Sequence, residues 1–388
     1  MTSSASAKAR IVNIIGEETR SEKIQERLKT TLIRIRKRNA LNRTLKVPAT
    51  ALCGDDNDEA LQDDRSAVAL NRLSVDLYYD DYLLRPVDKR RIRDWSDKIA
   101  AARTVAAGIA HLNKVELERL QPALQEMELV RCASEGGADE IAARIHTDAP
   151  WLAQATEYIW HALRLSARRG DPVKFQPVIV NGPPGIGKSV WTRAVARELA
   201  LPFADIDASK NGAGFSLVGV ERGWSTAQPG RPLELILAQR VANPIIVVDE
   251  ICKAKTGTSS SGSSFSFSDA LLSLLEPATA HAWECPYFRI TFDLSRVSWI
   301  LTSNDPSKIS EPVRSRCQLI QVDDLTQQEL RACADRQARR LSLTPAAREA
   351  ALEALERAPR VTGRRTSLRD VSRILDRAVI LEGRPVLQ

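Results

Sequence analysis

The sequence predicts an α/β protein: a parallel sheet covered by helices on both faces, followed by a small helical lid domain and preceded by a mostly helical N-terminal region. Three observations carry this expectation. Between residues 175 and 322, short and strongly apolar runs alternate with segments of helical periodicity, the pattern of strands buried on both faces. The first of these runs, Val178 to Asn181, feeds directly into a glycine-rich stretch, Gly182-Pro183-Pro184-Gly185-Ile186-Gly187-Lys188-Ser189. From 325 to 382 there are three helical patterns and no convincing strand. The expected organisation is a basic helix and acidic linker over 1–73, a helical region over 74–168, the α/β domain over 169–323 and the lid over 324–388.

Composition narrows the class. A chain of 388 residues with 43% apolar content can bury a sizeable core and suggests two or three domains. The net charge of +7 permits an acidic partner without identifying one. Six scattered cysteines, Cys53, Cys132, Cys252, Cys285, Cys317 and Cys333, form no compact framework and read as reduced thiols of a cytoplasmic protein. The small, polar stretch from Met1 to Arg10 is not a signal peptide, and no run of 18 apolar residues offers a membrane span. The four histidines (His111, His146, His161, His281) are isolated, which argues against a metal site built from them.

Residues 17–47 read as a basic helix, with Ile24, Leu28, Leu32 and Ile35 at helical spacing and Arg34, Arg36, Lys37, Arg38, Arg43 and Lys46 crowding its end. It is either a patch for nucleic acid or an acidic partner, or, the better supported reading, a solvated arm or assembly helix. Asp55, Asp56, Asp58, Glu59, Asp63 and Asp64 follow, either as a flexible acidic linker or as a segment that folds back on the basic helix. Amphipathic stretches at Ile92 to Leu112 and Val115 to Leu129 come next, and Trp151, Tyr158, Trp160 and Leu163 read as packed core.

The glycine-rich stretch is a phosphate-binding loop in its expected context, strand before and helix after, the helix running through Trp191, Val195 and Leu199. Gly182 and Gly187 let the backbone curl so that its N–H groups face phosphate oxygens, and the helix N-terminus adds positive potential. Lys188 is placed to reach the β- and γ-phosphates and Ser189 to ligate Mg²⁺. Further strands are expected at Phe203 to Ile206, Ile245 to Val248, Val297 to Leu301 and Gln318 to Val322, with a helix around Leu233 to Val241. Asp249 and Glu250 end the third strand at the sheet edge where such folds bind ligands. Asp249 suits the Mg²⁺ shell, and Glu250 suits a base that orients and deprotonates an attacking water. Asn304 ends the fourth strand and could fix that water. Arg314 and Arg316 precede the fifth, either suited to the spread charge of a phosphoryl transition state, and the residues alone do not choose between them.

Taken together, Gly182 to Ser189, Ile245 to Glu250, Asn304, Arg316 and Arg369 resemble the Walker A, Walker B, sensor 1, arginine-finger and sensor 2 motifs of the AAA+ ATPases. The resemblance sharpens to the ATPase module of the Lon proteases through Trp224 to Arg231, Asp269 to Pro277, and Tyr287 to Asn304, and it covers roughly residues 170–385. It implies ATP and Mg²⁺ as cofactors. Gly182, Pro183, Pro184, Gly185, Ile186, Gly187, Lys188, Ser189 and Val190 would form the nucleotide loop, with Ser189 and Asp249 at the metal. Glu250, Asn304, Arg316 (acting in trans) and Arg369 would be the catalytic set. It further implies a homo-oligomeric ring, commonly of six subunits, with Trp224 at the first pore loop and Gly257 to Ser268 as a flexible loop near the second or simply a linker. A Lon chain would continue past Gln388 into a proteolytic domain, so the expectation is a motor that remodels or unfolds protein substrates without its own peptidase, with a separate peptidase or adaptor possible and no membrane partner. A nucleic-acid remodelling ATPase, favoured by the basic arm, and a nucleotide-dependent switch or scaffold are the alternatives.

Overall fold

Five apolar strands form the centre of the larger unit: β1 Val178–Asn181, β2 Phe203–Asp207, β3 Ile245–Asp249, β4 Ser298–Ser303 and β5 Gln318–Gln321. All pair in parallel, in the order β5-β1-β4-β3-β2. The computed structural model describes residues 7–12, 21–44, 84–106, 108–210, 213–224, 226–254, 256–258, 264–362 and 365–383. The described chain divides into two compact units, Ile14–Asn113 and a larger one made of Met1–Asn13 with Lys114–Gln388. Residues 114–168, grouped by sequence with the helices before them, thus pack in the same unit as the sheet.

Val178, Ile179, Val180, Ile245, Ile246 and Val248 have no exposed surface, as expected for strands covered on both faces. Because every strand points the same way, Asn181, Asp249 and Ser303 finish on one edge; Ser303 pairs with Asn181, and Asp207 with Asp249. The fourth strand starts one residue later than the apolar run suggests and continues two residues further, through Ser303. Its polar end, Thr302 and Ser303, is held by pairing with Val180 and Asn181 of β1 rather than by its own hydrophobicity.

After β1, the helix Lys188–Glu198 buries Trp191, whose indole N–H donates to Thr156 Oγ1 at 3.0 Å, so this large core side chain keeps its hydrogen bond. Thr156 lies on the helix Ala153–Arg169, which ends at Gly170 in the left-handed conformation. The lid consists of three helices, Gln327–Arg340, Pro345–Thr362 and Leu368–Glu382. The first and third start with capping boxes, Thr326 with Glu329 and Ser367 with Asp370. Their inward residues, Leu330, Ala334, Leu352, Leu355, Val371 and Leu375, join the core.

Three local expectations need correction. Val115 to Leu129 is not one helix: Lys114–Leu120 is helical, Pro122 sits in a 3₁₀ turn that stops it, and Met127–Leu129 is a strand. That strand pairs antiparallel with Ala7–Ala9, within the stretch that sequence reads only as small and polar. The segment Gly257 to Ser268 is not an unstructured loop over its whole length. Thr256–Thr258 and Ser264–Ser266 pair as a hairpin, and a helix starts at Phe267.

In the smaller unit, the helix Ser21–Thr44 packs on the helix Pro86–Ala106. Ile24 and Ile92 are buried, and Asp88 pairs with Arg36 at 2.9 Å and with Arg85 at 3.2 Å. These are the described parts of the expected basic helix over 17–47 and amphipathic stretch from Ile92; the acidic linker residues Asp55 to Asp64 lie outside the described residues. No helix among the described residues is long and apolar enough to cross a membrane.

Candidate nucleotide-binding site

The loop between β1 and the helix Lys188–Glu198 is held from below and above. Below, a Cβ on Gly182 would meet Val322 O at 2.7 Å and Ile186 Cδ1 at 2.9 Å, so only glycine lets the loop lie against the end of β5. Above, Gly187 has φ of 90°, and a Cβ there would meet Leu368 Cδ1 at 2.8 Å. The Leu368 N–H donates to Gly185 O at 3.0 Å, so the first turn of the last lid helix sits directly on the loop. Trp151 donates its indole N–H to Ile186 O at 2.8 Å, and the Ile186 side chain is buried beneath the loop. The backbone N–H groups that open the helix are thereby fixed at a cleft, the geometry of an anion site.

Lys188 is only 8% exposed, and its Nζ lies 2.7 Å from Gly182 O, 2.9 Å from Pro183 O and 2.7 Å from Asn304 Oδ1. Burial pushes its ammonium down to about 8, against the opposing pull of the negative Asp249 and Glu250. Below about pH 8 the amine is cationic and ready for a phosphate, and a bound phosphate raises its pKa. Nucleotide affinity should therefore be flat below that pH and fall by up to about tenfold per unit above it. Measured dissociation constants for ATP between about pH 7.5 and 9.5 check this, and a level profile would separate Lys188 from phosphate binding.

The acids at the end of β3 are organised by β4. Thr302 donates its hydroxyl to Asp249 Oδ1 and accepts from the Glu250 N–H at 3.1 Å, while Ser189 Oγ donates to Asp249 Oδ2 at 3.0 Å. Ser189 and Asp249 thus offer a hydroxyl and a carboxylate side by side, an all-oxygen donor pair suited to Mg²⁺, which keeps several waters and takes few protein ligands. Glu250 sits in the left-handed region with φ of 55°, uncommon for a residue with a side chain. Its carboxylate reaches Lys253 Nζ at 2.8 Å. The Asn304 N–H lies 3.5 Å from Cys252 Sγ.

These residues open into a cleft of about 550 Å³, a size that suits a nucleotide. It is lined by Pro184, Gly185, Gly187, Lys188, Ser189, Asp249, Glu250 and Asn304, together with Asp148, Ala149, Trp151, Cys333, Gln337, Arg340, Val190, Leu368 and Arg369. Asp148 pairs there with Arg340 of the helix Gln327–Arg340 at 2.5 Å and with Arg197 of the helix Lys188–Glu198 at 3.5 Å. Sequence reasoning missed the lining that Asp148, Trp151, Gln337 and Arg340 contribute. Trp151 reads as one more core aromatic, and Asp148, Gln337 and Arg340 carry no motif; the break at Ala149-Pro150 is the one local sign that a helix ends beside something else.

Three residues singled out by sequence lie outside this cleft. Arg316 pairs with Glu276 at 3.0 Å and donates to Pro312 O at 2.9 Å, and it does not line the cleft of its own chain. Arg314 ends the short helix Glu311–Arg314 and is likewise outside it. Trp224 is 65% exposed, next to Gly223 with φ of 106°.

Comparison with known proteins agrees with this geometry. Residues 178–324 match the family described as ATPase family associated with various cellular activities (AAA). The Lon protease of Desulfovibrio desulfuricans is 33% identical over 166 residues, 42% of this chain and 18% of that protein. The Lon protease of Chloroherpeton thalassium is 26% identical over 333 residues, 84% of this chain and 37% of that protein. A mitochondrial Lon protease homolog of Rattus norvegicus is 31% identical over 156 residues, 40% of this chain and 16% of that protein. The chain therefore spans well under half the length of these relatives. With the phosphate loop and the paired strand-end acids inside the matched segment, residues 178–324 form an AAA-type ATPase domain, in which the chain is similar to part of the Lon proteases.

Proposed function

We propose that this chain is one subunit of a ring ATPase, commonly of six copies in such families, that uses ATP hydrolysis to pull on and unfold polypeptides. The loop N–H groups from Gly185 to Ser189 and the Lys188 ammonium bind the phosphates. Ser189 and Asp249 would hold Mg²⁺, which would supply charge neutralisation at the phosphates. Glu250 takes a proton from the attacking water, Asn304 orients that water, and Arg369 approaches the phosphates from the lid. Arg316 completes the site of the neighbouring subunit, a role supported by its placement outside its own cleft.

The observation that carries the polypeptide reading is Trp224. A flat aromatic left 65% exposed on a glycine-flanked turn is unfavourable in water unless it grips something, and it suits many side chains without demanding a sequence. Trp224→Ala should leave assembly and basal ATPase intact while abolishing ATP-driven unfolding of a bound protein, read by loss of fluorescence from an unfoldable reporter. Unchanged unfolding would remove Trp224 from the mechanism.

The ring has its own test. Arg316→Ala and Glu250→Gln subunits should each be inactive alone, and mixing them should restore turnover at interfaces that pair an intact Glu250 with an intact Arg316. No recovery in well-mixed assemblies would mean that the arginine acts within its own subunit, or that Arg314 takes its place. Nucleic-acid remodelling is the second reading, favoured by eight Lys and Arg on Ser21–Thr44; turnover stimulated by DNA or RNA in a salt-sensitive way would replace the polypeptide reading with it.

A further inference from the structure

The helix Pro86–Ala106 has two faces that matter. One is the line Asp88, Ile92, Ser96 and Ala100, all buried, from which Asp88 pairs with Arg36 and Ser96 Oγ lies 3.1 Å from Ser21 Oγ on the helix Ser21–Thr44. The other lies roughly 100° around the helix axis and consists of Arg91, Trp95, Lys98, Ala102 and Val105, all exposed. Their spacing alternates four and three residues, the pattern of a seam that receives a second helix by knobs into holes. Trp95 is 64% exposed and Val105 67%, and Val87 extends the apolar surface at the N-terminal end.

Charge decides what could fill this seam. Arg91 and Lys98 form no ion pair with any described residue. The surroundings are cationic too: Ser21–Thr44 carries eight Lys and Arg against two Glu, and Pro86–Ala106 six against three Asp, so this helix pair holds more net positive charge than the +7 of the whole chain. A second copy of the same face is unsuitable. Aligned in parallel, Arg91 would meet Arg91 and Lys98 would meet Lys98; aligned antiparallel, Lys98 would still face itself. A nucleic-acid backbone would use the cations and leave Val87, Ala102 and Val105 in water.

We propose that this face docks an acidic amphipathic helix of another protein, with apolar residues against Trp95, Ala102 and Val105 and carboxylates against Arg91 and Lys98. The inference rests on the smaller unit alone and is independent of the motor reading. Arg91 and Lys98 then act as selectors: they exclude self-association and basic helices while admitting an acidic partner.

The test uses the full chain and two designed helical peptides of about 20 residues with a leucine seam, one bearing Glu and the other Lys at the positions opposite Arg91 and Lys98. The acidic peptide should bind and the basic one should not. Trp95→Ala should weaken the acidic peptide by about tenfold or more, as expected for a central aromatic anchor. The double variant Arg91→Glu with Lys98→Glu should lose the acidic peptide and gain the basic one, with basal ATPase and thermal midpoint unchanged because these side chains are exposed. Failure of the acidic peptide to bind, or equal binding to the charge-reversed protein, overturns the proposal. So does an oligothymidine that binds the natural chain and is released by the same double substitution.

Discussion

Lys188→Ala should abolish ATP turnover and strip most nucleotide binding, a loss in kcat/KM on the order of 10²–10³ or more for removing a buried charge-bearing donor. The side chain is nearly sealed from water and points its amine at the carbonyls of Gly182 and Pro183 and at Asn304, so no solvent cation can take its place. A phosphate with its larger charge competes well against two neutral carbonyls and an amide for that amine. The truncation removes those contacts without inserting bulk, and circular dichroism and a thermal melt should report an intact fold. Binding of a fluorescent ATP analogue and steady-state phosphate release are the measurements. Near-normal turnover would sink the phosphate-loop assignment.

Glu250→Gln should give the opposite split between binding and chemistry. ATP and Mg²⁺ should bind as before, because Asp249, Ser189 and Thr302 keep their mutual hydrogen bonds. The glutamine carbonyl can still accept from Lys253, and the backbone N–H of position 250 stays bonded to Thr302, so the unusual left-handed backbone persists. What disappears is basicity, and hydrolysis should slow by roughly 10²-fold or more, the usual scale for losing a general base. Single-turnover hydrolysis with bound ATP retained on the protein separates this from a binding defect. Hydrolysis at the normal rate would mean that another group activates the water.

The legible parts of this protein are those whose determinants are adjacent in the chain. A four-residue apolar strand, a glycine-rich turn and a helix that opens on Lys188-Ser189 occupy one continuous stretch, and the backbone geometry it needs is supplied by its own glycines. Asp249 and Glu250 announce themselves by following an apolar strand, and the five strands and three lid helices are long enough to show their periods. A three-residue strand is not. Ala7–Ala9 and Met127–Leu129 are strands because they pair with each other across more than a hundred residues, and neither carries enough alternation to be recognised alone.

Tertiary structure decided everything that depends on pairs distant in sequence. Thr302 reaches Asp249 across 53 positions, Asn304 reaches Lys188 across 116, and Arg340 reaches Asp148 across 192; no local pattern encodes which hydroxyl, amide or guanidinium will arrive. The glycines at 185 and 187 gain a second reason to be glycine only when the lid helix settles on the loop and leaves no room for a Cβ. Arg316 is legible as an arginine of the right kind, yet only the fold shows it turned away from its own cleft toward Glu276. Likewise the sequence by itself shows an amphipathic stretch from Ile92 to Leu112, but which stripe of the helix Pro86–Ala106 meets Ser21–Thr44 and which is left facing solvent was decided by packing, because burial is a property of a pair of surfaces and a helix carries only one of them.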